Sequence, residues 1–364
     1  MLNKWKQDRL SAILKAHGDY ITGPSDLLAE GPPFLFFYLF AGWYRKMLCE
    51  IPKDGALRRS IRWRKAINPA LKGLAPLFMK AKQVMEDRNA LLGIPGKDAG
   101  IQLPPEPVIW AANHGFKDDV AASAAAAARH AFIVFGSLPI FYNTFDGVSL
   151  ALNGVVLTNR KSRKSSSATV EKAVKVMENG TDILIFPEGI WNKTPDWLML
   201  DLWPGIYRIA RESGAKIVPI VHYVEDAAYE KSRNRIHTVI DEPFCVEGMA
   251  EEEALRKLRD ILAGWYYLMM ERYGRSTREA ALSGYGDVRE AWENHLRRRV
   301  GMCARYDREI ELRGDYRPRG TARPEEVWEG IARIGKVTRD NAAYIAYASK
   351  IVQERREQDF QRRF

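Results

Sequence analysis

Between residues 107 and 245, short apolar runs alternate with segments whose apolar residues recur at helical spacing. That alternation predicts an α/β domain, a central sheet flanked by helices. The predicted strands are Val108–Ala112, Ala131–Phe135, Gly154–Thr158, Asp182–Phe186, Ile217–Tyr223 and Ile236–Ile240. Helices are predicted over 118–129, 166–179 and 204–213, and a longer one over 250–272 closes the domain. The alanine-rich piece at 121–130 lies between two strands and reads as a tightly packed helix.

On either side the texture differs. Residues 1–100 read as helical and irregular, broken by Pro32, Pro33 and Pro52 around the aromatic run FLFFYLFAGWY at 34–44. This run covers about half of the roughly 20 residues needed to cross a bilayer, and Arg45 and Lys46 close it. It is either a segment lying at the water–lipid boundary, with Trp43 and Tyr44 at its charged end, or a buried core helix. Over 60–85, basic residues such as Arg62, Arg64, Lys65 and Lys72 interleave with Trp63, Ile67, Leu71 and Leu74. This pattern fits a basic amphipathic surface helix or an ordinary solvated one, and Pro69 and Pro76 divide it into two or three short pieces. After Gly274 strand signals stop, and dense Arg and Glu predict a helical C-terminal extension with a break at 317–324 and a last helix over 325–364. Three regions result: an N-terminal helical, membrane-associating region (1–100), a central α/β domain (101–275) and the C-terminal extension (276–364).

A chain of 364 residues that is 46% hydrophobic can bury one large core with helical appendages. Its net charge of +10 favours an anionic partner, whether a membrane surface, a phosphorylated substrate or nucleic acid. Cys49, Cys245 and Cys303 are too few and too widely spaced for a disulfide framework or a thiolate metal site. The N-terminus lacks the layout of a signal peptide, so a cytosolic orientation is expected.

The sharpest local chemistry is Asn113-His114-Gly115-Phe116-Lys117-Asp118-Asp119, directly after a predicted strand and before a predicted helix. In one continuous helix residues five apart point roughly 140° away from each other, so His114 and Asp119 meet only across a turn, which Asn113 and Gly115 permit. So folded, Asp119 accepts a hydrogen bond from one imidazole nitrogen and leaves the other to take a proton. A helix-capping Asp beside a satisfied His is the plainer alternative for the pair taken alone.

Further segments bear on that choice. NHGFKDD (113–119), GVVLTNR (154–160), FPEG (186–189) and IVPI (217–220) occur in this order. Together they resemble the four ordered blocks of the phospholipid/glycerol acyltransferase family, over roughly residues 105–245. The resemblance implies a mixed central sheet flanked by helices, and His114 as the base that deprotonates an acceptor hydroxyl, oriented by Asp119. The hydroxyl then attacks the thioester of acyl-CoA or acyl-carrier protein as co-substrate, with no cofactor and no covalent acyl-enzyme. It further implies that Arg160, Glu188 and Gly189 shape the acceptor site. Asn113, Pro187 and Lys193 are counted with them as substrate-binding, and Pro219 is either a pocket wall or a strand-end proline. Arg160 also suits a bidentate phosphate clamp, with Lys161, Arg163 and Lys164 nearby.

One departure matters. The family's third block continues Glu-Gly-Thr-Arg, whereas this chain reads Glu188-Gly189-Ile190-Trp191-Asn192-Lys193. Trp191 stands where the second phosphate-binding arginine belongs, and a lysine at 193 lacks the fork geometry, so an acceptor less charged than lysophosphatidic acid becomes credible. The same departure motivates a rival, a non-catalytic membrane-binding protein on this fold. Serine-hydrolase elbow, phosphate-loop, dinucleotide-fingerprint and zinc-helix patterns do not occur, and the remaining histidines offer no companion pair for a metal. The expectation is an O-acyltransferase at the cytoplasmic face of a membrane, peripheral or monotopic, with membrane lipids as partners, no nucleic acid and no metal.

Overall fold

The computed structural model describes residues 51–79, 81–116, 118–136, 145–158, 163–190, 199–224 and 235–273. The aromatic run at 34–44, the C-terminal stretch, Arg160, Trp191 and Lys193 lie outside them. In chain order the elements are α1 (Asp54–Phe78), β1 (Lys82–Met85), α2 (Arg88–Leu92), β2 (Ile109–Ala112), α3 (Asp119–Ala126), β3 (Ala131–Gly136) and α4 (Phe145–Asn153). There follow β4 (Val155–Thr158), α5 (Arg163–Glu178), β5 (Asp182–Ile185), α6 (Gly205–Ser213), β6 (Ile217–Val224), β7 (Arg235–Ile240) and α7 (Glu251–Tyr273).

The strands form one sheet in the order β1-β7-β6-β2-β5-β3-β4. Every pairing is parallel except β6 with β7, so the sheet is mixed. β2 lies between β5 and β6, and its four residues are all buried. Ile109 and Ala111 join the core built with α5, α6 and α7, while Trp110 and Ala112 join a second core that includes Ala127 after α3. A strand covered on both faces reads as a continuous apolar run, which is why 108–112 was legible. The α/β architecture and the expected strands are present, with ends that differ by one residue.

The N-terminal part departs from expectation in two ways. The stretch read as helical contains β1, which pairs with β7 at one edge of the sheet. The short helix α2 follows, with Asp87 accepting from the Ala90 amide at its start and Gly93 at φ 71° ending it. Second, α1 runs unbroken through Pro69 and Pro76. A helical proline forfeits one backbone bond and crowds the preceding turn. Here the helix is held by tertiary contacts: Leu57 and Ile61 are buried in the main core.

The basic residues of α1 explain more of that docking. Arg64 donates to the Ala151 carbonyl at 2.8 Å, Lys65 to Gly180 at 2.5 Å, and Arg58 to the Asn179 side chain at 3.1 Å. Lys72 donates to the carbonyl of Ala127. Those acceptors sit at the C-terminal ends of α3, α4 and α5, where helices carry unpaired carbonyls and partial negative charge. Arg64 and Lys72 are half-buried at these contacts, Arg58 and Lys65 make theirs from exposed positions, and Arg59, Arg62, Trp63 and Leu74 are exposed as well. Burial pushes the Arg64 guanidinium down to about 10. Replacing Arg64 by Met should lower the unfolding free energy by about 1–3 kcal/mol in urea melts. Arg62→Met should change it by less than about 0.5 kcal/mol.

Candidate active site

The site lies beyond the C-terminal ends of β2 and β5, where ligands collect in open α/β sheets. β2 is in register with its neighbours through Ala111↔Ile185 and Ala112↔Ile220, and the chain then leaves the sheet at Asn113. The Asn113 side chain carries the ladder one step further. Its Nδ2 donates to the His222 carbonyl at 3.0 Å, and its Oδ1 accepts from the His222 amide at 2.7 Å. Continuing the β2–β5 register brings His114 level with Glu188, whose carboxylate accepts from the His114 amide at 2.8 Å and the Leu200 amide at 2.9 Å. Asn113 and Glu188, both buried, therefore hold main chain with their polar atoms.

Asp119 begins α3 and is fully buried. Its Oδ2 lies 2.7 Å from His114 Nδ1, and it also accepts from the amides of Gly115 at 3.0 Å and Phe116 at 3.3 Å. A carboxylate only accepts, so Nδ1 carries the proton of the neutral ring and Nε2 carries the lone pair. The His114 side chain is 16% exposed, whereas its carboxylate partner is at 0%. The ring leans on Phe186, 4.7 Å between centroids.

Ser123 is four residues beyond Asp119, on the same face of α3. Its Oγ is 2.7 Å from His222 Nε2, and His222 Nδ1 is 2.8 Å from Thr238 Oγ1. Gln83 of β1 donates to Thr238 Oγ1 and to the Ala122 carbonyl, both at 3.0 Å. Burial pushes His222 down to about 4, so it is neutral and links α3, β6 and β7 through its two nitrogens. Sequence reading passed over His222 and Ser123. The available signal was one polar residue in each otherwise apolar segment: Ser123 in an alanine run, His222 in IVPIVHYV.

Glu188 is held differently from Asp119. Burial pushes its carboxyl up to about 7, against the opposing pull of two amide donors and the charge of Arg259. Arg259 of α7, also buried, donates to Asp201 Oδ1 and to the Met199 carbonyl, each at 2.9 Å. Nothing local in the sequence marked Arg259, because its partners are some sixty residues earlier.

Of the residues singled out from the sequence, His114, Asp119, Asn113, Pro187, Glu188 and Gly189 come together here. Pro187 accepts from the Trp203 amide at 2.8 Å, and Gly189, at φ 76°, turns the chain after Glu188. Arg160 and Lys193 lie outside the described residues. Pro219 sits inside β6, not at a strand end: it is opposite Ala111, and its carbonyl accepts from the Asp241 amide where the β7 ladder begins. Among the described residues, no cluster of His, Cys, Asp and Glu is arranged to hold a metal ion.

Residues 99–223 match the family model described as Acyltransferase. That segment is an acyltransferase-family domain. It contains the His114–Asp119 turn, Glu188 and β6, and ends before β7 and α7. A 1-acyl-sn-glycerol-3-phosphate acyltransferase of Borreliella burgdorferi is 33% identical over 92 residues, covering 25% of this chain and 36% of that protein. One of Chlamydomonas reinhardtii is 29% identical over 120 residues, covering 32% and 35%. The chain therefore spans about a third of the length of the curated relatives it matches. Among solved structures, the 1-acyl-sn-glycerophosphate (LPA) acyltransferase PlsC of Thermotoga maritima aligns with 66% of this chain and 96% of its own, at 17% identity and a TM-score of 0.42.

Because the folded Glu188 pKa lies above the ordinary 4.5, its contribution to stability is fully present below about 4.5 and declines as pH rises through about 7. Glu188→Gln removes that titration. The wild-type melting temperature relative to Glu188→Gln should therefore fall between pH 4.5 and 7, as read by thermal melts across that range.

Proposed function

We propose that the protein is an O-acyltransferase that moves a fatty acyl group from acyl-CoA or acyl-carrier protein to a hydroxyl of a lysophospholipid or glycerolipid. The observation that carries this reading is the 2.7 Å pairing of His114 Nδ1 with the fully buried Asp119. It gives a neutral imidazole one tautomer and aims a basic Nε2 away from the buried carboxylate. The names of the curated relatives, which act on 1-acyl-sn-glycerol-3-phosphate, support the reaction class.

In this mechanism His114 Nε2 takes the proton of the acceptor hydroxyl as its oxygen attacks the thioester carbonyl carbon. The carbon–sulfur bond then breaks, and the departing thiolate recovers the proton from the imidazolium. Asp119 stabilises that imidazolium and keeps the ring from turning over. No bond to the protein forms. A thiolate is a far better leaving group than an alkoxide, so positioning and charge stabilisation supply most of the acceleration.

Arg160 is proposed as the acceptor's phosphate clamp, and Trp191 in place of a second arginine favours an acceptor with less phosphate charge. The protein is proposed to act at the cytoplasmic face of a membrane, peripheral or monotopic, with its net charge of +10 drawing it to anionic lipid. No helix among the described residues is long and apolar enough to cross a membrane.

The test is free-thiol release from acyl-CoA and acyl-carrier-protein donors over anionic liposomes, with lysophosphatidic acid and uncharged lysolipids as acceptors. Acceptor-dependent release should fall about 10²–10⁴-fold in His114→Ala, and a similar loss is expected in Asp119→Asn, which can stabilise the other tautomer. Equal rates in wild type and His114→Ala would remove His114 from the mechanism. Liposome binding without release would favour a non-catalytic membrane protein on the same fold.

A further inference from the structure

Glu188 gives each carboxylate oxygen to one backbone amide: Oε1 to His114 and Oε2 to Leu200. This arrangement favours the ionised form, against the burial that pushes the carboxyl up to about 7. A protonated carboxyl carries an O–H, and that oxygen is then a weaker acceptor for its amide. The segment that supplies the second amide is itself pinned on both sides of Leu200. Arg259 Nη2 donates to the carbonyl of Met199, and Nη1 pairs with Asp201, each at 2.9 Å. Arg259 is 1% exposed and comes from α7, outside the segment that matches the acyltransferase family.

We propose that Arg259 is a positioning residue for His114, acting from α7 through Met199, Leu200, Asp201 and the Glu188 carboxylate to fix the main chain of the catalytic turn. The proposal rests on the reading of His114 as general base. It assigns α7 a part in the reaction.

Two links connect Arg259 to His114. One is geometric: the fork clamps residues 199–201 so that the Leu200 amide points at Glu188, and a guanidinium reaches a carbonyl and a carboxylate at once where an ammonium would have one centre. The other is electrostatic. Among the described residues, the charged groups near Glu188 are Arg259 of α7 and Asp119 of α3, with the His114 ring on the β2–α3 turn and Asp201, paired to Arg259, beside Leu200. Asp119 opposes ionisation of Glu188, and the charge of Arg259 favours it. Without that cation Glu188 holds its proton to higher pH, loosens its hold on one amide and lets the His114 turn relax.

The experiment uses the full-length protein in wild-type form and as Arg259→Gln, Arg259→Lys, Glu188→Gln and Arg259→Gln with Glu188→Gln. Arg259→Gln removes the charge and keeps an amide donor for Met199. Acyl transfer is followed against pH. Separately, infrared difference spectra follow the carboxylic-acid carbonyl band of Glu188, identified by its absence in Glu188→Gln. In Arg259→Gln the acid limb of kcat/KM and the midpoint of that band should both move up by about one pH unit, with kcat falling more than KM rises. Arg259→Lys should restore the wild-type limb in large part. In the Glu188→Gln background, Arg259→Gln should add no further shift.

An unmoved limb and band in Arg259→Gln would overturn the proposal, and so would a shift that persists without Glu188. If Arg259→Gln fails to fold by circular dichroism, Arg259→Lys decides: a limb and band displaced as though the charge were gone would overturn it. The infrared arm needs no turnover. A wild type that transfers no acyl group, with the band still shifted in Arg259→Gln, would sink the acyltransferase reading and leave the coupling of Arg259 to Glu188 standing.

Discussion

The turn that carries His114 depends on one oxygen atom, Asp119 Oδ2, shut away from water and ringed by donors from His114, Gly115 and Phe116. A buried carboxylate persists only where several hydrogen bonds replace its hydration. Here they come to Oδ2 from residues three to five positions earlier in the chain, so satisfying that oxygen and forming the turn are one event, while Oδ1 is buried without a hydrogen-bond partner. The imidazole is oriented by the same act. Glu188 performs a complementary task, since it meets only backbone and fixes where the turn sits relative to β5 and to residues 199–201.

The two carboxylates are balanced in opposite ways. Asp119 has three close donors, while Glu188 has two amide donors and the charge of Arg259, which also holds Asp201 and the Met199 carbonyl. Asn113 belongs with Glu188 in what it touches. The sequence marked both as substrate-binding, and the polar atoms of both meet main chain, of the turn, of Leu200 and of β6.

Legibility from sequence followed the range of each interaction. Strands such as 108–112 and 217–223 were readable because burial on both faces leaves an unbroken apolar run. The His114–Asp119 pair was readable because it closes within seven residues. β1 was missed: KQVM carries no apolar run, and only its partner β7 makes it a strand. The continuity of α1 was missed because local rules penalise Pro69 and Pro76, while the contacts that hold the helix come from the ends of α3, α4 and α5. Gln83 and Arg259 were invisible for the same reason, and Ser123 and His222 showed only as lone polar residues, each acquiring its meaning from a residue far away in the chain. The net charge of +10 likewise overstated the exposed positive surface, because part of it is matched against helix carbonyls.

The pairing of β1 with β7 also orders events in time. Lys82 meets Arg235 and Met85 meets Thr238, so this edge closes a loop of about 150 residues. As the chain emerges during synthesis, every other parallel strand can find a neighbour before β7 exists, but β1 cannot. It must wait, unpaired, until almost the whole domain has been made. Gln83 then arrives with it and completes the hydrogen bonds to Thr238 and Ala122. Among the described strands, the first to be translated is thus the last that can be seated, and the backing of α3, on which Asp119 rides, is finished only at that late step.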